Sequence, residues 1–191
     1  MFERKDHFYK KAKKEGLASR AAYKILEIEK KFKIWKKGNS ILDLGSAPGG
    51  WLQILSQEVG PHGFITGIDR SPLKIAPPQN VDFIQKELFD PTLTFDRQFD
   101  SILSDLSPDL SGIRFRDTYR SYELAVRVWE LAKLFLKKKG NLVIKVFPGE
   151  EMELLKKEMK KAFDRLVTFI PEATRKTSSE VYLVAIGFRG Q

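Results

Sequence analysis

From residue 40 onward, short apolar runs alternate with longer stretches of helical period. Seven runs read as strands: "SILDLG" (40–45), "GFITGID" (63–69), "VDFIQKEL" (81–88), "FDSILSDL" (99–106), "GNLVIKVF" (140–147), "RLVTFIP" (165–171) and "EVYLVAIGF" (180–188). Between them, "GWLQILSQEV" (50–59) places Trp51, Ile54, Leu55 and Val59 on one helical face. "DTYRSYELAVRVWELAKLFLKK" (117–138) is a long amphipathic helix ending near Gly140, and "EEMELLKKEMKKAF" (150–163) is another. Ahead of the first strand, a helix over about 20–33 carries Ala21, Ile25, Ile28 and Phe32 as an apolar stripe, with Lys24 at its edge. Strands alternating with helices predict an α/β fold, a mainly parallel sheet covered by helices on both faces. Only "EATRKTSS" (172–179) separates the last two strands. That is too short for a parallel crossover, so the last strand should run antiparallel.

Charge divides this picture in two. Residues 1–37 hold 13 Lys and Arg against 5 Asp and Glu, a net of +8, while the remaining 154 hold 21 against 20. A basic segment (1–37) therefore precedes a nearly neutral domain (38–191). Such a segment attracts phosphate backbones, although a solubilising tail would have the same charge. Tyr9, Tyr23, Phe32 and Trp35 interrupt the lysines, which favours a structured segment that docks nucleic acid. There is no cysteine and there are two histidines, so disulfides and thiolate metal sites are excluded and no metal site is expected. No apolar run approaches the ~20 residues of a membrane span. The first residues lack a signal-type segment, and a cytoplasmic protein is the simplest expectation.

Lys145 stands out inside the apolar run 142–147. Lysine is rarely buried without a partner, so either the strand ends early and Lys145 faces solvent, or it faces something specific. In open α/β sheets, ligands bind at the carboxyl ends of the strands. Asp43, Asp69 and Asp105 fall at such ends, and Lys145 lies near the end of its own strand. The turn "DLGSAPGGW" (43–51) is not the dinucleotide fingerprint, because Ala47 occupies the second glycine position. It is not a P-loop either, since Trp51 and Leu52 replace the lysine and hydroxyl residue. What survives is a tight, glycine-bearing turn at a helix N-terminus, open to a ligand. Asp69, 24 residues after Gly45, is placed to accept a ribose diol.

With these motifs in place, the chain resembles the RrmJ/FtsJ (RlmE-like) family of ribosomal-RNA 2′-O-methyltransferases. The resemblance rests on "SRAAYKILEI" (19–28), "DLGSAPGGW" (43–51), "SDLSPDLSG" (104–112), "VIKVFPGE" (143–150) and "SSEVYLVAIG" (178–187), in family order. It implies a Rossmann-like S-adenosylmethionine-dependent methyltransferase fold with an antiparallel last strand. It implies a Lys-Asp-Lys-Glu catalytic tetrad, matched here by Lys24, Asp105, Lys145 and Glu180. It places cofactor contacts on Gly45, Pro48, Gly49, Gly50, Trp51, Asp69 and Asp105. Where the family has a "GDF"-like segment this chain has "KEL", so Glu87 takes the place of the adenine-contacting aspartate on a longer stem. By its extent the chain looks like the stand-alone bacterial type.

The resemblance thus implies transfer of a methyl group from S-adenosyl-L-methionine, leaving S-adenosyl-L-homocysteine, to a uridine of 23S ribosomal RNA in the large subunit. The partner is RNA rather than DNA or a membrane, and the protein is expected to be a monomer. A lysine at position 145 fits two roles: a neutral base that removes the hydroxyl proton, or a cation that steadies the developing alkoxide. A transfer-RNA methyltransferase, a non-catalytic ribosome-assembly factor of the same fold and, more distantly, a nicotinamide dehydrogenase are the competing readings.

Overall fold

The computed structural model describes residues 7–175 and 177–190. Residues 1–6 of the basic segment lie outside the described residues. Helices α1 (His7–Lys14) and α2 (Ala22–Phe32) precede β1 (Ser40–Leu44), α3 (Gly50–Val59), β2 (Phe64–Asp69), β3 (Val81–Gln85) and β4 (Phe99–Ser104). Then follow α4 (Arg114–Phe135), β5 (Leu136–Val146), α5 (Glu150–Ala162), β6 (Phe163–Phe169) and β7 (Val181–Phe188). The seven strands form one sheet in the order β3-β2-β1-β4-β5-β7-β6. Strands β1 to β5 pair parallel, and β7 runs antiparallel to both β5 and β6. No described helix is long and apolar enough to cross a membrane.

Strand alternation divides the core between the two faces of the sheet. Leu42 and Leu44 of β1 pack with Val128, Trp129 and Ala132 of α4 and with Leu155 and Met159 of α5. Ile41, on the opposite face, packs with Ile25 and Ile28 of α2 and with Trp51, Leu52 and Leu55 of α3. The stripe on α2 thus belongs to the domain core, and Ile34 and Trp35 after it are buried in the same cluster. Ahead of α2, the "KKAKK" segment is helical, a feature the periodicity did not reveal. One buried residue, Ala12, holds α1 against Tyr23 and Ala173, while its lysines stay exposed.

Two boundaries differ from the sequence pattern for identifiable reasons. The long helix begins at Arg114 rather than 117, because Asp117 does not cap it. Asp117 sits in the first turn and reaches back, accepting from the backbone N–H and hydroxyl of Ser111 (2.8 and 2.7 Å) and from Gly112 N–H (3.2 Å). The same helix stops at Phe135, since Leu136 is buried and already pairs with Phe99. Residues 137–140 form the irregularity before Asn141 pairs with Ser101, with Lys139 in the left-handed region at φ 67°. Strand β5 is therefore longer than the apolar run that signalled it.

Candidate active site

The parallel strands deliver their last residues to one edge of the sheet, where a cavity of about 520 Å³ opens between the β1–α3, β2–β3, β3–β4 and β4–α4 connections. Gly45, Asp69, Glu87 and Asp105 all lie on its wall. Gly45 is at φ 87°, and a Cβ there would stand 3.0 Å from the Leu106 backbone nitrogen, so the turn needs glycine to hug the β4 end. Asp69 accepts from Ala47 N–H (3.0 Å) and Ser71 N–H (2.8 Å), one on each carboxylate oxygen. A carboxylate has about four acceptor sites, so capacity remains for two hydroxyls. Pro48, Gly49, Gly50 and Trp51 are not wall residues. Trp51 is buried and donates its indole N–H to the Ala21 carbonyl (2.8 Å), tying α3 to α2, and Gly50 lies against Ser19.

Beside this cavity the four charged residues form two buried ion pairs. Lys145, the penultimate residue of β5, is 6% exposed. It does not face solvent: Nζ donates to the Asp105 carbonyl (2.6 Å) and stands 3.1 Å from Asp105 Oδ1. Lys24 of α2, 9% exposed, donates to Glu180 Oε1, and Glu180 Oε2 accepts from the Ser178 hydroxyl (2.9 Å). Lys24 therefore sits on the buried side of the stripe edge, because a carboxylate meets it there.

Tyr182 links the two pairs, and none of the sequence motifs marks it as a site residue. It is fully buried and lies opposite Lys145 in the β5–β7 ladder. Its hydroxyl donates to Asp105 Oδ1 (2.6 Å), and the Lys24 ammonium lies 5.9 Å from its ring centroid. The available signal was alternation: Tyr182 is two residues beyond Glu180, on the same face.

Electrostatics separate the three strand-end carboxylates. Burial alone would raise Asp105, but the Lys145 and Lys24 cations and the Tyr182 hydroxyl outweigh it and hold the carboxyl below its ordinary range. Tyr182 is pushed well above the ordinary tyrosine value by burial and by the Asp105 and Glu180 charges, so it stays a donor. Asp43 lies wholly buried behind the glycine turn, and neither side-chain oxygen has a hydrogen-bond partner. Burial, reinforced by Asp105 and Asp69, pushes it up to about 8. The site thus combines a carboxylate paired with Lys145 and held low with a buried neighbour pushed toward its protonated form.

The chain is similar to known proteins. The family model described as FtsJ-like methyltransferase matches residues 17–188. A ribosomal RNA large subunit methyltransferase E from Methanothermobacter thermautotrophicus is 40% identical, covering 98% of this chain and 92% of that protein. One of the same name from Bdellovibrio bacteriovorus is also 40% identical, over 95% and 96%. Among solved structures, a protein assigned as a ribosomal RNA methyltransferase from Plasmodium falciparum aligns with a TM-score of 0.80 at 30% identity, covering 91% of this chain and 100% of that one. Fibrillarin from Aeropyrum pernix, solved with bound S-adenosyl-L-methionine, shares the fold at a TM-score of 0.57 and 19% identity, over 79% of this chain and 67% of that one.

Proposed function

The chain belongs to the FtsJ-like methyltransferase family, and from that premise we propose that it methylates a ribose 2′-hydroxyl of RNA, with a uridine of large-subunit (23S) ribosomal RNA as the target. The observation that carries this reading is the pair of buried lysines, each held by its own carboxylate, beside a cavity with acidic walls. The donor that fits is S-adenosyl-L-methionine, which supplies an electrophilic methyl group when bound. Asp69 has acceptor capacity for a ribose diol, Asp105 and Gly45 offer polar groups on the same wall, and Glu87, also on that wall, is the candidate for the adenine contact.

A 2′-hydroxyl is a weak nucleophile until its proton is removed or shared, and alignment supplies much of the rate. Lys145 makes its hydrogen bond and its ion pair with Asp105, which fixes the side chain at the sheet edge and leaves a donor direction over. In that place it either takes the hydroxyl proton as the neutral amine, having first given up its own proton, or stabilises the forming alkoxide as the ammonium. Asp105 anchors Lys145, Tyr182 anchors Asp105, and Glu180 anchors Lys24. The basic segment supplies the docking surface for RNA, and the working unit is a cytoplasmic monomer.

The deciding experiment is single-turnover methyl transfer by Lys145→Ala and Lys145→Arg, with S-adenosyl-L-homocysteine binding measured alongside. Lys145→Ala should lose roughly 10²–10⁴-fold in rate while still binding the cofactor product. A near-parental rate for that variant overturns the reading. Arginine keeps the charge but cannot act as a base at accessible pH, so an inactive Lys145→Arg assigns the base role and an active one the electrostatic role. Mapping of ribose methylation in ribosomal and transfer RNA from a deletion strain identifies the substrate.

A further inference from the structure

The first half of α4 carries an unusual surface. Phe115 is 75% exposed and Tyr119 is 45% exposed, one turn further along the helix, while Tyr122 stands 6.3 Å from Tyr119 between ring centroids. Spacings of four and three residues put these rings in a stripe along one face. Arg114, Arg116 and Arg120 flank it. Arg120 shares its surroundings with Asp109 and Asp117 and lies on the wall of the cavity, whereas Arg114 and Arg116 have no ion-pair partner among the described residues. The helix that carries the stripe thus also contributes Arg120 to the cavity wall.

Among the described residues, none covers Phe115 and Tyr119. Large exposed aromatics are normally found where something docks. The turn that carries them is held in shape, because Asp117 spends its carboxylate on Ser111 and Gly112 and is not available to neutralise Arg114 and Arg116. Aromatic rings at helical intervals, interleaved with arginines, match what a single strand of nucleic acid requires: faces for bases to stack on and cations for the backbone. A second copy of the chain fits poorly, since a two-fold contact would bring the same arginines against each other.

We propose that Phe115 and Tyr119 form a stacking platform for unpaired bases of the RNA next to the target nucleotide, with Arg114 and Arg116 holding the phosphates between them. The inference rests on the RNA reading above and adds to it. A target nucleotide drawn out of its stack into the cavity leaves neighbouring bases that need new faces to stack on. The platform supplies such faces on the same helix that contributes Arg120 to the cavity wall. It makes the enzyme prefer a target in a loop or a melted segment over one in a continuous helix.

The test uses the full-length protein with a short unstructured RNA carrying one 2-aminopurine, and the same RNA annealed to its complement. Phe115→Ala should weaken binding of the single strand by about 5–100-fold, with the salt dependence of binding unchanged, because no phosphate contact is lost. Phe115→Trp should retain affinity and 2-aminopurine quenching, whereas Phe115→Leu, equally apolar, should lose both. Arg116→Gln should instead flatten the salt slope. Thermal unfolding and S-adenosyl-L-homocysteine affinity should match the parent in every variant. Single-strand affinity within two-fold of the parent for Phe115→Ala/Tyr119→Ala overturns the platform, as does equal binding by Phe115→Leu, or a self-association that the double variant abolishes. Because binding and quenching are read without turnover, a protein that stacks the RNA but fails to methylate it would sink the catalytic reading alone.

Discussion

Tyr182→Phe removes a single oxygen from the middle of the site, and its consequences follow from the geometry. The ring stays where it is, fully buried and packed near Trp51 at 6.3 Å between centroids. What disappears is the 2.6 Å hydrogen bond to Asp105 Oδ1. Hydrogen bonds to charged groups contribute ~1.5–3 kcal/mol. Asp105 keeps Lys145 at 3.1 Å, so the acceptor is not orphaned and the loss belongs at the lower end, about 1.5–2 kcal/mol. For a chain of this size that lowers Tm by roughly 3–8 °C.

The same bond helps hold the Asp105 carboxyl low, against burial and alongside Lys145 and Lys24. A carboxylate held low stabilises the fold above its unfolded pKa of ~3.9, and that contribution fades as pH falls through the lower folded value. The deficit of the variant should therefore be complete at neutral pH and shrink below about pH 4 as Asp105 is protonated in both proteins. Urea unfolding across pH measures it directly. Methyl transfer should fall on the order of 10-fold, because the anchor of Lys145 loosens. Equal stability at pH 7, or a deficit that persists undiminished in acid, would refute the assignment of Tyr182 as a donor to an ionised Asp105.

The other predictions are briefer. Asp69→Ala should weaken S-adenosyl-L-methionine by ~1–3 kcal/mol, the cost of unpaired polar partners, and NAD should not bind the parent comparably; calorimetry checks both. Neutralising Lys10, Lys11, Lys13 and Lys14, exposed on α1, should reduce the RNA salt slope by roughly 0.7–0.9 per lost phosphate contact, and an unchanged slope would make α1 a solubility element. Asp43, raised to about 8, keeps a proton in the fold that the unfolded chain releases above ~3.9, so stability falls as pH rises through that window. Asp43→Asn should remove that decline and gain stability relative to the parent from pH 4 to 8, and pH-resolved unfolding with an identical slope in both proteins would dismiss it.

The fold was largely legible because its signals are local. Alternating strands and helices gave the layers, and the eight residues between the last two strands gave their antiparallel pairing. The start of α4 was not legible, since Asp117 has the composition of a cap but bonds backward to Ser111 and Gly112. Helix α1 was hidden by its composition: it buries only Ala12, so no apolar stripe marks it. The acidic strand ends were visible as positions, but their different protonation was not. Asp43 is fully buried and Asp105 mostly so, and the lysines and hydroxyl gathered around Asp105 separate them.

That contrast also explains what a sequence pattern can say about a buried lysine. Periodicity placed Lys24 at the margin of the α2 stripe, where an exposed and a buried lysine look alike. The difference lies across the fold, in Glu180, 156 residues away along the chain. Lys145 has the same ambiguity within its strand, resolved by Asp105, 40 residues away. Burying either cation costs several kcal/mol unless a carboxylate meets it. A chain that folds with both lysines inside must therefore bring both acids to them. Removing either acid alone would leave an unpaired buried charge, which is more damaging than removing the pair. The four residues hold together as one unit, and their separate motifs acquire meaning only when the parallel sheet brings its strand ends to a common edge.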